Sequence, residues 1–136
     1  MSTSPLSDAD YRMLADFRGT LRRFLAFSEA KAAEVGLTPQ QHQALLAIKA
    51  APSGTATIGH VADWLMLKPH SASGLVDRLE TLGLLERRVA AGDRRQSLAV
   101  LTSAAEAMLR QLSVTHREEI RRLQPMLAEL LARIGN

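Results

Sequence analysis

The sequence contains no cysteine. That absence removes disulfides, thiolate nucleophiles, thiolate metal sites and any cysteine-based redox switch. No apolar run approaches the roughly 18 residues that a membrane-crossing helix needs. The opening stretch MSTSPLSDAD is polar and acidic and lacks an apolar h-region, so it does not read as a signal peptide. Together these give the expectation of a cytoplasmic protein. Internal repeats and low-complexity tracts are missing as well. So are a nucleophile motif, a glycine-rich phosphate loop and an HxxxH pair, which leaves no enzyme or metal-site signature. No cofactor is expected.

Lysine is scarce: 14 of the 17 basic residues are arginine, against 14 acidic residues, for a formal charge of +3. The excess is modest for a nucleic-acid binder, but the arginines cluster. Their planar forks suit phosphates and guanine edges better than the point charge of lysine does. At 136 residues and 46% hydrophobic composition the chain has the size of one domain with a real core.

Apolar residues fall at helical spacing from Asp8 to about Val35 (Tyr11, Leu14, Phe17, Leu21, Phe24, Leu25), with Ser7 placed to cap and Gly36 to stop the helix. Thr38-Pro39 opens a second helix that runs to about Ala50, because threonine caps well and proline suits the first helical position. Ala51 to Thr55 reads as a turn. Thr57 then caps a short helix, Ile58 to about Leu65, and Pro69 opens another that Gly83 ends. Two short helices joined by about four residues form a helix-turn-helix.

The period then changes. Leu85–Val89 and Ser97–Leu101 read as strands, with Ala90–Gln96 as the hairpin tip. In the second strand Leu98, Val100 and Thr102 fall on one face. Helical period returns from Ser103 to Ile134, where Pro125 is expected to divide the segment into two helices. The fold class is therefore mainly α with a small β-hairpin: a winged helix-turn-helix at 37–102 within a single 1–136 domain. The flanking helical segments, 8–35 and 103–134, carry apolar stripes that need a partner.

Two groups of residues could carry function. The first turns of the second short helix hold His70, Ser71 and Ser73, with Arg78 further along. Such residues reach base edges and phosphates when a helix enters the major groove. The alternative is that Ser71 and Ser73 are merely helix-start residues. Arg87, Arg88, Arg94 and Arg95 flank or form the hairpin, where a narrow cationic tip fits the minor groove. Asp93 among them is costly beside DNA unless paired, and is expected to orient Arg95. A solvated, charge-rich hairpin is the alternative. Its position directly after a helix-turn-helix favours a role in DNA binding.

The stretch from Leu37 to Thr102 resembles the MarR family of bacterial regulators. LTPQQHQALLAI is similar to the family's second helix and TIGHVADWL to its third. HSASGLVDRLETLGLLERR resembles the recognition helix and its exit, and DRRQSLAVLT the wing. The flanking helices resemble the family's dimerisation elements. The resemblance implies a homodimeric repressor on a near-palindromic duplex DNA operator; many members of the family release DNA when a small, often phenolic, molecule binds. It implies that Asp93 and Arg95 form the wing's Asp-x-Arg pair and that Ser71, Ser73 and Arg78 lie on the DNA-reading helix. Gly74 departs from the pattern, since many relatives carry a basic or larger polar residue there.

An effector crevice in such proteins lies between the dimerisation and DNA-binding parts. Phe24, Phe27, His42, Trp64, Met66 and His116 are its candidate lining, with plain core packing as the alternative for each. His42 and His116 are expected to be partly buried, hydrogen-bonded residues near this crevice; a metal site would require them to approach each other, with Glu119 nearby. One histidine per helix is a poor metal motif, so no metal role is assigned. Two other function classes stand as alternatives: a winged-helix protein-interaction module without DNA binding, which the arginine-rich hairpin disfavours, and an enzyme, for which no catalytic motif is visible.

Overall fold

The computed structural model describes residues 5–90 and 93–134, with the backbone alone described for residues 90, 93–96 and 134. The element order is α1 (Asp8–Glu34), α2 (Pro39–Ala50), α3 (Ile58–Leu65), α4 (Pro69–Thr81), β1 (Leu85–Ala90), β2 (Asp93–Leu101) and α5 (Ser103–Ile134).

Local hydrogen-bond chemistry sets most of these boundaries. The Asp10 amide donates to Ser7 Oγ at 3.2 Å while the Ser7 amide donates to the Asp10 carboxylate at 3.0 Å, a reciprocal capping box. Thr38 and Gln41 repeat it at the start of α2, and Thr57 accepts from the His60 amide at 3.0 Å to start α3. Gly83 leaves α4 with φ +75°, a conformation that costs other residues their Cβ clearance.

The core sits under the helix-turn-helix. Leu45 of α2, Val61 of α3, Val76 and Leu79 of α4 and Leu85 of β1 are fully buried, and Ala105, Leu109 and Leu112 of α5 close over them. Deleting a side chain such as Leu79 would cost about 2–5 kcal/mol, because the cavity left can only partly collapse.

β1 and β2 pair antiparallel, with Leu85 opposite Leu101 and Arg87 opposite Ala99. The inward residue of β2 is Ala99, whereas Leu98 and Val100 are only half-buried. The cause is a third backbone segment. The Ala99 amide donates to the Ala56 carbonyl at 2.8 Å, and Thr57 bridges Leu98. Thr102 then ties the strand end to α4: its hydroxyl donates to the Gly83 carbonyl at 2.7 Å and accepts from the Ala105 amide at 3.3 Å.

Pro125 does not divide the last segment, for α5 runs unbroken through it. Proline removes one intrahelical hydrogen bond and disfavours the helix by roughly 3 kcal/mol. Packing on α1 offsets this. The buried Thr20 hydroxyl donates to the Met126 sulfur at 3.0 Å, and Leu130 one turn later is buried.

The stripes on α1 and α5 remain open. Tyr11, Leu14, Leu21 and Leu25 on α1 and Val114, Ile120, Met126 and Leu131 on α5 are all exposed large apolar side chains. Among the described residues, no helix is long and apolar enough to cross a membrane.

Candidate nucleic-acid interface and adjoining cavity

The turn between α3 and α4 is built by Met66, which adopts the left-handed conformation at φ 55° and ψ 43°. The Leu67 amide reaches back to the Ala62 carbonyl at 2.8 Å and closes the end of α3. α4 then starts at Lys68 with no side-chain cap, so its first-turn amides keep their hydrogen-bonding capacity. A helix start of this kind favours anions.

Burial divides α4 into two faces. Ala72, Leu75, Val76 and Leu79 point into the core, while His70, Ser71, Gly74, Asp77 and Arg78 are exposed. Ser73 lies between the two sets, half-buried. Ser71, Gly74 and Arg78 line an open groove of about 480 Å³ together with Thr38, Pro39, Gln40 and Gln41 from the start of α2. A Cβ at Gly74 would meet nothing within 4 Å, so no neighbour in the chain demands glycine there. In a helix interior that glycine costs about 1 kcal/mol relative to alanine.

The hairpin arginines differ in their surroundings. Arg88 is exposed, with Glu86 at 3.6 Å. Arg87 is not free: its guanidinium is bound to Asp77 of α4 and lies 3.6 Å from Glu80, also of α4. Within the chain, then, the guanidinium of Arg87, unlike that of Arg88, is engaged by two carboxylates. Its partners could have been suspected from the Asp77 and Glu80 spacing, three apart on one helix, but not assigned without the α4–β1 crossing. Asp93, Arg94 and Arg95 stand at the start of β2. Their side chains, and hence the expected Asp93–Arg95 pairing, lie outside the described residues.

A second cavity, of about 620 Å³, opens between α1, α2 and α5. Phe24, Leu25, Leu46 and Ile120 give it apolar walls. Ser28, His42, Gln43, Ser113, His116, Arg117 and Arg121 supply the polar groups. The expectation for Phe24, His42 and His116 thus places them together. Phe27 stands behind them, its ring edge-on to His116 at 5.9 Å. Trp64 and Met66 are a correction, for neither lines this cavity. Trp64 stacks on His60 at 6.0 Å and is 64% exposed, and Met66 is 91% exposed at the α3–α4 turn. Ser28, Gln43, Ser113, Arg117 and Arg121 were not singled out from sequence. The only signal was spacing, since Ser28 follows Phe24, and Arg121 follows Arg117, by one helical turn.

His116 is held at both ring nitrogens. Nδ1 lies 2.7 Å from the Leu112 carbonyl, which can only accept, so Nδ1 carries the proton. In the neutral ring Nε2 then accepts from the Ser28 hydroxyl, also at 2.7 Å. His42 is buried with its ring centroid 5.2 Å from that of His116. Burial, and secondarily the charge His116 can carry, push the His42 pKa below its ordinary value of 6.5. Glu119 pairs with Arg122 at 3.2 Å. Among the described residues, no three metal-ligating side chains converge.

These elements define a winged helix-turn-helix, with α4 in the position of the reading helix and β1–β2 as the wing. Residues 35–96 match the family model described as MarR family. Residues 35–96 are thus similar to MarR-family sequences, and the whole chain shares the fold of solved MarR-family transcriptional regulators.

Among solved structures, the chain is similar to AbsC, a MarR family transcriptional regulator from Streptomyces coelicolor. Identity is 20%, coverage 96% of this chain and 99% of that one, and the TM-score 0.72. RV1404 from Mycobacterium tuberculosis is 26% identical over 90% of this chain and 82% of that one, with a TM-score of 0.71. Sco3205, a MarR family transcriptional regulator from Streptomyces coelicolor solved in complex with DNA, is 17% identical over 98% and 91%, with a TM-score of 0.72. Comparison of the sequence with curated proteins gives no match.

Proposed function

We propose that the protein is a homodimeric, sequence-specific regulator of transcription that binds near-palindromic duplex DNA and has no catalytic role. The observation that carries this reading is the outward face of α4. An uncapped helix start, with His70, Ser71 and Arg78 exposed and no segment over them among the described residues, is followed directly by an arginine-rich wing. The DNA-bound relative of the same fold supports it.

In this reading His70, Ser71, Ser73 and Arg78 approach base edges and phosphates of the major groove. Arg88, Arg94 and Arg95 act from the wing, with Asp93 orienting Arg95. Segments 8–35 and 103–134 form the dimerisation part, and the exposed apolar residues of α1 and α5 are what the second chain covers. The cavity walled by Phe24 and floored by His42 and His116 supports a response to a small aromatic effector. Release of DNA on binding, and so repression, follows from the resemblance to the family.

Selection of preferred duplexes from a random pool tests the proposal. The expected product is an inverted repeat whose half-sites are centred about 10 bp apart, one helical turn. A folded dimer that enriches no sequence and binds no DNA even at low salt would instead be a protein-interaction module.

A further inference from the structure

We infer that Arg87 is a positioning residue, clamped by Asp77 and Glu80, that fixes the wing against the DNA-reading helix rather than touching DNA itself. The inference rests on the function proposed above.

Arg87 and Arg88 are neighbours in β1 and so point to opposite faces of the strand. Arg88 is 64% exposed at its side chain, whereas Arg87 is 27% exposed and reaches across to α4. There it meets two carboxylates. Asp77 is bonded to the guanidinium and Glu80 lies 3.6 Å from Nε. Arginine can hold two acceptors at once because its donors are fixed in a fork.

Charge explains why the clamp stays closed beside DNA. Asp77 is on the exposed face of α4, in the row of His70 and Gly74. Two bare carboxylates there would repel phosphates. If Arg87 left them for a phosphate, it would trade one attraction for two new repulsions. Held where it is, it screens both.

Geometry gives the clamp its effect. Between α4 and β1 the chain passes through only Leu82, Gly83 and Leu84, and Gly83 adopts a turn conformation. Further links hold the far strand: the Thr102 hydroxyl on the Gly83 carbonyl and the Ala99 amide on the Ala56 carbonyl. On the β1 side the ion pair is what joins the hairpin's outer half to α4. The Asp77–Arg87 contact lies beyond these, spans ten residues of sequence and resists rotation of the hairpin about that turn. A major-groove helix and a minor-groove wing engage one duplex together only if their relative orientation is fixed. An exposed ion pair adds little to global stability, so orientation is what it can govern.

The test is DNA affinity across a salt series for the full-length parent, Asp77→Asn, Arg87→Gln and the swapped pair Asp77→Arg/Arg87→Asp, using the selected duplex. Asp77→Asn removes a negative charge beside DNA, so electrostatics alone would tighten binding. The clamp instead predicts roughly tenfold weaker binding, with partial recovery in the swapped pair. Arg87→Gln should weaken binding while leaving the slope of log affinity against log salt unchanged, because no phosphate contact is lost. Melting temperatures of all variants should stay close to the parent's. Tighter or unchanged binding by Asp77→Asn overturns the clamp alone, as does a slope reduced by about one contact in Arg87→Gln. A folded parent that binds no duplex overturns the proposed function and the clamp with it.

Discussion

The imidazoles of His42 and His116 face one another with centroids 5.2 Å apart, one on α2 and the other on α5. Two cations at that spacing in a buried site would repel strongly, since little water is available to screen them. Burial already disfavours the charged form of His42, and His116 adds to the effect.

This arrangement makes stability depend on pH, with a definite sign. The unfolded chain takes up a proton on His42 as pH falls through about 6.5, while the folded chain resists it. The contribution is complete above that pH and is lost as pH drops towards the lower folded-state value. Melting temperature should therefore decline between neutral and mildly acidic pH, and His42→Gln should flatten the decline. Parallel curves for parent and variant would remove His42 as the cause.

Dimerisation is expected to use the exposed apolar residues of α1 and α5. Leu14→Asp and Leu131→Asp place a charge on side chains that are 41% and 61% exposed within one chain. Neither should disturb the fold, and helical content should be unchanged. Sedimentation velocity should show a shift towards monomer, with DNA affinity falling in step. Variants that remain dimeric would place the interface elsewhere.

The wing prediction concerns Arg95. Arg95→Ala should weaken DNA binding broadly across sequences and flatten the salt dependence by about one ion release, because it removes a largely sequence-independent contact. Gel shifts over a salt series check this. Unchanged affinity would argue that the tip does not enter the groove.

Base reading by α4 should behave differently. Ser71→Ala, on the groove that Gly74 and Arg78 also line, should alter which sequence is preferred. A mismatch at a read position costs about 1–3 kcal/mol, so the change should be visible in a repeated selection. Recovery of the parent's motif would assign Ser71 to helix capping or phosphate contact.

Elements governed by neighbouring residues were legible in the sequence. Ser7, Thr38 and Thr57 cap because a short polar side chain next to a helix start has orphan amides within reach. Gly83 ends α4 for an equally local reason. Where distant segments decide, local spacing was not enough. Pro125 stays inside α5 because Thr20 and the rest of α1 hold the helix on both sides of it. Ala99 faces inward because Ala56, 43 residues earlier, pairs with its backbone.

The site divides along the same line. The exposed row of α4 followed from helical periodicity. The capture of Arg87 depends on how β1 crosses α4, and the exclusion of Trp64 and Met66 from the cavity depends on which face of α3 meets α2. Neither crossing is encoded in any single segment. His42 and His116 meet because each lies on the inner side of a helix that packs over the same core.

Native mass spectrometry of the full-length protein mixed with its selected duplex tests the central proposal most directly. The expected species holds two chains on one duplex, and disappears as a unit when salt is raised. A single chain per duplex, or free protein and free DNA at low salt, would contradict the proposal that paired reading helices and wings grip one face of the double helix.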